Sequence, residues 1–217
     1  MDVESVRAVR ESEVYPALFG PGVRGIFHLT PELFARQFRQ TDLDPHWFHY
    51  GVFEFAPTAD RPCWLYVTSG PSNPSADEPL TDDPEAVSGT GAEFLFATTT
   101  PGDWAIRLLS GMLAFDLLLS AGRIPDAEPL AVGDVIPLGA PIDVNSSSEI
   151  RALLVAAPAD FPSGFDLPSG RVDFLTLIGV TIPEARMAGD DGPDALVVRL
   201  TDCGFFPVTD PARDSTV

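Results

Sequence analysis

No lysine occurs anywhere in this 217-residue chain: all 13 of its cationic side chains are arginine, set against 32 acids for a formal charge of −19. That absence removes every chemistry needing an amine on a flexible stem: a P-loop phosphate lysine, a Schiff-base lysine and the S-x-x-K acyl-enzyme arrangement. Nucleic acid is excluded as a partner too, because binding a phosphate backbone takes a dense cationic stripe that releases counterions. A field of this sign attracts basic partners. Cysteine is scarce: Cys63 and Cys203 lie far apart with no C-x-x-C spacing, which fits free thiols in a reducing compartment better than a disulfide framework. Long apolar runs are missing. The longest, Trp104 to Ala121, is broken by Arg107 and Asp116 and predicts a core helix, not a membrane span. The start, Met1 to Ser5, is acidic with no apolar run and is no secretory signal, so the expectation is a cytoplasmic protein with no membrane partner.

What is present is enough to fold. Hydrophobic residues make up 45% of the chain and aromatics 10%, sufficient for one real core. Residues 2–18 place valines among Arg and Glu as in a surface helix ending at Gly20-Pro21-Gly22. Thr30-Pro31-Glu32 opens a second helix, with Thr30 as N-cap and Pro31 in the first position. From Trp47 the period changes: Phe48, Tyr50, Val52 or Phe53, and Phe55, then Trp64, Tyr66 and Thr68, predict two strands joined by a turn. Gly70 to Gly91 collects proline, serine and acids without an apolar repeat and predicts a long solvated loop. Glu93 to Thr99 is the next strand, and Thr100-Pro101-Gly102-Asp103 has capping-box spacing before a helix over Trp104 to Ser120. On that helix Arg107, Ser110, Gly111 and Ala114 form a small-residue stripe that permits close approach, so it should be central and buried. Val135–Leu138, Glu149–Ala156, Arg171–Val180 and Ala195–Leu200 predict strands, and Thr181-Ile182-Pro183-Glu184 a second capping box. The pattern implies an α+β fold, a mixed β-sheet packed by helices.

Candidate chemistry is sparse. Gly20-Pro21-Gly22-Val23-Arg24-Gly25 matches G-x-G-x-x-G, but a helical stretch precedes it and an extended one follows, the wrong context for a dinucleotide site. His46 and His49 are spaced H-x-x-H beside Asp42 and Asp44; with those carboxylates they define the alternative reading, a small metal-dependent enzyme. No G-x-S-x-G elbow or calcium-hand spacing occurs. The distribution of charge carries more. Between Thr41 and Asp103 there are eleven acids and one arginine, a net −10, and the cluster Asp82, Asp83 and Glu85 is the candidate docking patch for a cationic partner.

Several segments resemble the suppressor of fused family, in that family's order. Trp64-Leu65-Tyr66-Val67-Thr68-Ser69-Gly70 looks like its aromatic strand and Ser-Gly turn, and Glu93-Phe94-Leu95-Phe96 with Trp104 to Leu119 is similar to its strand and long helix. Pro141-Ile142-Asp143 with the polar run to Ser148 resembles its Pro-Leu-Asp segment. Gly170 to Val180 and the capped Pro183-Glu184 look like its most recognisable stretch. The resemblance implies the fold of that family's N-terminal domain, over residues 47–201, with 1–46 an unassigned helical segment and 202–217 a tail. Animal members carry a further C-terminal domain that closes a clamp, so a two-sided grip is not expected of this chain. The resemblance also implies a protein that is not an enzyme and uses no catalytic residue, metal or cofactor. Animal members clamp an extended peptide of a transcription factor, and bacterial relatives have been proposed as immunity proteins against toxins. It further implies a partner contact at Asp143, with Asn145 in the polar run beside it. The leading expectation is a bacterial immunity-type protein that binds and neutralises a toxin; a regulator sequestering a transcription factor differs from it in ligand only.

Overall fold

In Trp64–Ser69 (β3) Tyr66 packs into one buried cluster and Leu65 and Val67 into another, so both faces of the strand are covered. Successive strand residues point to opposite faces, and the same double burial recurs in Val87–Thr98 (β4), where Phe94 and Phe96 share one face and Leu95 and Ala97 the other. The computed structural model describes residues 3–74, 83, 85–143 and 146–217. Gly22–His28 (β1), Gly51–Phe55 (β2), β3 and β4 form an antiparallel meander. Val135–Pro137 (β5), Ile150–Ala156 (β6) and Gly170–Thr181 (β8) form a second antiparallel set, with Gly164–Leu167 (β7) folded back on the start of β8. A parallel ladder between β4 and β8 joins the halves, giving the order β1-β2-β3-β4-β8-β6-β5. The fold is the expected α+β arrangement, a mixed sheet packed by helices.

Asp103–Ser120 (α4) covers one face. Trp104, Ile106, Leu109 and Met112 pack on Val52, Tyr66, Phe94, Phe96, Leu153 and Leu177. Its outer side is in turn covered by Pro31–Phe38 (α3) and the 3-10 helix Pro45–His49, through Phe34 and Trp47 against Leu113, Ala114 and Leu117. The small-residue stripe has this use: a Cβ on Gly111 would stand 2.9 Å from the Gln37 side chain of α3. The other face is shared. Tyr15 and Phe19, from Tyr15–Phe19 (α2), cover the meander half, and Ile182–Asp191 (α5) with Pro193–Asp202 (α6) cover β6 and β8.

Four local expectations change. Trp47 and Phe48 lie in the 3-10 helix Pro45–His49, opened by Pro45 and the Asp44 cap, and the strand expected from Trp47 begins only at Gly51. Ala195–Leu200 lies in α6, because Pro193 fits the first turn and Leu196 and Leu200, four apart, are the residues that bury. Helix α4 has no side-chain cap; its N-cap is Gly102, whose N–H donates to the Tyr66 hydroxyl at 3.1 Å and whose Cβ position is filled by the Trp104 ring. The loop after Gly70 ends at Val87, and much of it, residues 75–82 and 84, lies outside the described residues. The capping box at Thr181 and Glu184 is formed as expected.

One buried acid on α4 has no cation among the described residues. Asp116 is 7% exposed, and burial pushes its pKa up to about 6 in spite of a hydrogen bond from the Leu130 backbone. The folded state holds this proton more tightly than the unfolded one, so stability falls as pH rises from about 4 to about 6. Asp116→Asn keeps the acceptor oxygen and removes the charge. It is expected to stabilise by about 2 kcal/mol at pH 7 and to be neutral below pH 4, measured by denaturant unfolding at both values.

Candidate functional site

A cleft of about 810 Å³ opens where α4 ends and β2 and β4 begin. Val3, Glu4 and Arg7 from Val3–Val9 (α1) form one wall, Asp44, His46, His49 and Tyr50 a second, and Pro71, Asn73, Pro74 and Thr90 a third. Leu117, Ser120 and Ala121 put the negative end of the α4 dipole at its floor. Asp44 N-caps the 3-10 helix by accepting the His46 N–H at 2.9 Å, and its carboxylate lies 2.8 Å from His46 Nδ1. The backbone hydrogen bond, with help from the imidazole, holds the Asp44 carboxyl below its ordinary range, so it stays charged into acid. Burial raises the Tyr50 phenol. The arrangement is a recess with aromatic and proline walls in which Glu4 is paired with Arg7 at 3.5 Å, leaving Asp44 as its unbalanced charge.

The third wall is fixed by a buried ion cluster. Arg10, in the π-helical turn Arg10–Val14, is fully buried and donates from Nε to Ser69 Oγ at 3.0 Å and from Nη1 to Ser72 Oγ and Asn73 Oδ1 at 2.8 Å. Glu93 of β4, equally buried, accepts from Thr68 Oγ1, the Gly70 and Ser72 N–H groups and Ser72 Oγ, with Arg10 Nη1 3.7 Å away. Among the described residues Arg10 Nη2 has no hydrogen-bond acceptor, and it faces Glu11 at 3.6 Å. The Ser69-Gly70 turn is thus shaped by a carboxylate from the next strand. The charge count places Glu93 on the acidic surface and no local pattern marks Arg10, yet both are buried; of the same eleven acids Glu54 is also buried, bound by Arg24 at 2.7 Å.

The predicted partner residues divide. Asp83 and Glu85 are exposed just before β4, at the same end of the sheet as the Asp44 cleft, with the Glu85 N–H donating to the Asp83 carboxylate at 3.0 Å. Asp143 stands at the other end. It is half-buried, follows Ile142, whose N–H donates to Ile150 C=O, and its own C=O accepts from Ser146. Ala86 pairs with Arg171 at the start of β8, while Ile150 pairs with Thr181 at its finish. At about 3.3 Å per residue that is a separation of roughly 33 Å, so the structure does not bring Asp143 together with Asp83 and Glu85. Asn145 and Asp82 lie outside the described residues.

A second cleft, of about 800 Å³, lies beside Asp143 between α4 and the edge strand β5. Phe38, Trp104, Leu108, Met112, Phe115, Ile136, Leu138 and Ile142 give it an apolar lining, with Arg107 on its rim. For the histidines, the structure puts His46 and His49 on the first cleft, yet among the described residues no group of three or more His, Cys, Asp or Glu is placed to hold a metal ion. Gly20 to Gly25 forms the turn into β1, with Gly25 at positive φ inside the strand and no helix following it, so it cannot cradle a pyrophosphate. Cys63 and Cys203 are free thiols, one buried and one exposed. Among the described residues no helix is long and apolar enough to cross a membrane.

Two covered sheet faces, a parallel seam and a capped Thr181-Glu184 turn define an α+β domain built around a central helix. The sequence profile of the suppressor of fused protein (SUFU) family matches residues 46–214, and the chain belongs to that family. No curated protein matches it in sequence. Its fold is similar to a chain in the Sufu–Fu complex crystal structure, with a TM-score of 0.67 and 19% identity over 99% of this chain and 92% of that one. It is also similar to a suppressor of fused homolog from Neisseria gonorrhoeae, at 0.59 and 21% over 99% and 94%. Drosophila Suppressor of Fused matches at 0.60 and 23% over 77% of this chain, which spans only 42% of that protein's chain.

Proposed function

We propose that this chain is a non-catalytic protein-binding module whose partner is basic, and that it serves as an immunity-type protein occluding a toxin. The observation that carries the reading is the acidic end of the sheet, where Asp44 on one cleft and Asp83 and Glu85 beside it outnumber the one arginine of the cleft, Arg7, which is paired with Glu4, in a chain of charge −19. Membership of a family with a member crystallised in a protein complex, Sufu with Fu, supports a protein as the ligand. A negative recess steers a cationic surface toward it and rejects acidic competitors.

The test uses the basic products of genes adjacent to this one. Co-expression is expected to restore growth in cells producing one of them, and the purified pair is expected to associate more slowly as salt increases. The variant Asp44→Asn, Asp83→Asn, Glu85→Gln retains the N-cap at position 44. It should slow association about tenfold without altering thermal stability. Growth unaffected by the chain, or binding insensitive to both salt and the variant, would overturn the reading.

A further inference from the structure

β4 and β8 run parallel as far as Phe96 and Leu177 and then part: the chain leaves β4 for α4 on one face of the sheet, and leaves β8 for α5 on the other. A fork of that kind, at the carboxyl ends of adjacent strands whose crossovers lie on opposite faces, is where open α/β sheets take their ligands. It also strands backbone groups that must find partners. Gly179, two residues past the ladder, turns its N–H and C=O away from β6, to the side that β4 has left. Residues 207–216 of the same chain fill the fork. Thr209 bridges Thr98 in parallel: its N–H donates to the Ala97 carbonyl at 2.9 Å, its carbonyl accepts from the Thr99 N–H at 3.1 Å, and its hydroxyl accepts from the Gly179 N–H at 2.9 Å. Arg213 Nη2 donates to the Gly179 carbonyl at 2.9 Å, while the same guanidinium holds Glu184 at the start of α5. Thr209 is fully buried, and Gly179 admits it, since a Cβ there would stand 2.8 Å from Thr209 Cγ2.

The segment is held as a ligand is held. Its hydrogen bonds to the rest of the chain run to Ala97, Thr99, Gly179, Thr181 and Glu184, and on the preceding helix to Arg199 alone. A short exposed turn, Cys203-Gly204 with Gly204 at φ 77°, joins it to α6. Spacing selects the occupant: a hydroxyl residue in the fork and an arginine four positions on, where Glu184 receives it. A second copy of this chain carries both by identity. Two copies that exchange the segment keep every one of these bonds, and the added cost is association alone. Within one copy the tether supplies the segment at an effective concentration of about millimolar, so the monomer prevails in dilute solution and exchange grows with concentration.

We propose that two copies of this chain form a closed dimer by exchanging residues 207–216, each setting Thr209 between the β4 and β8 of the other and Arg213 on the other's Glu184. The dimer presents two Asp44 clefts in place of one. The inference goes beyond the toxin-binding reading and does not rest on it, and no toxin enters its test.

The experiment mixes two single variants, Arg213→Ala and Glu184→Ala. Each alone strands a buried charge and is destabilised. In an exchanged pair one site joins the intact Glu184 of the first to the intact Arg213 of the second, and the other site has lost both charges. Light scattering should therefore find a mixed dimer, melting about 5 °C or more above either variant alone. Replacing either member with the double variant Glu184→Ala, Arg213→Ala removes the intact site and should abolish the mixed dimer. Should a single variant not fold by itself, the two are refolded together from urea, and soluble mixed dimer is expected where neither alone gives soluble protein. The unaltered chain is expected to yield dimer when refolded at about millimolar concentration and monomer when refolded dilute. A mixture that stays monomeric and melts as its separate components, co-refolding that yields nothing soluble, a mixed dimer that persists with the double variant, or monomer from the unaltered chain at both concentrations would each overturn the proposal.

Discussion

Replacing Arg10 with alanine is expected to cost about 3–5 kcal/mol of folding free energy, because it leaves Glu93 as a buried carboxylate without its cation. Glu93→Ala should cost as much, since it strands Arg10 and frees four donors, from Thr68, Gly70 and Ser72, that now converge on one carboxylate. In a domain of this size the melting temperature should drop on the order of 10 °C. Both thermal unfolding and urea titration measure it. The pair Arg10→Met, Glu93→Leu removes both charges together and should recover much of the loss, because hydrophobic replacement of a buried ion pair is often close to neutral. Single variants costing less than about 1 kcal/mol would show that the Ser69-Asn73 wall is held by packing alone.

Arg213→Ala is the second large effect. Arg213 grips Glu184 with both terminal nitrogens at 2.6 Å and donates to the Gly179 carbonyl, while the Thr216 N–H and hydroxyl complete the carboxylate shell. Burial pushes Glu184 up, but the Arg213 hydrogen bonds and the Thr181 and Thr216 N–H groups outweigh it and hold the pKa at about 2, against 4.5 ordinarily. The folded state therefore binds fewer protons, so this stabilisation is complete above about pH 4.5 and fades as pH falls toward 2. Arg213→Ala should cost about 3–5 kcal/mol at pH 7. Its acid-unfolding midpoint should move to higher pH, and protease should cut after Asp210 where the parent resists. An acid limb superimposable on that of the parent would contradict the assignment.

Much of the architecture was legible because the strands are long and doubly buried. Trp64 to Thr68 and Phe174 to Val180 are near-continuous runs of aromatic, aliphatic and β-branched residues, as strands buried on both faces require, and Thr181-Ile182-Pro183-Glu184 states its helix start outright. Ala195–Leu200 misled because a short apolar run has no period of its own, and Pro193 with the Leu196–Leu200 spacing decides it. The sites were harder to read. Charge counting found the acidic excess but not that Glu54 and Glu93 are spent inside, since burial of a carboxylate depends on a cation brought from elsewhere in the chain, Arg24 or Arg10. The capping box was visible; that its Glu184 also anchors Arg213 and Thr216 was not, as that pairing crosses about thirty residues without any local pattern. Nor could the sequence separate Asp143 from Asp83 and Glu85 in space, because strand register alone sets that distance.

Among the described residues the ladder between β4 and β8 is the only strand pairing that links the first half of the sheet to the second, and the whole of α4 intervenes in the chain between them. Closing such a distant contact carries a chain-entropy cost that hairpins avoid. The meander of β1 to β4 therefore assembles from neighbours in sequence, while Leu95 and Phe96 wait for Thr176 and Leu177. Until they arrive, the β4 margin is an apolar edge open to association with another chain. The period between synthesis of β4 and synthesis of β8 is when a nascent copy is most exposed to aggregation.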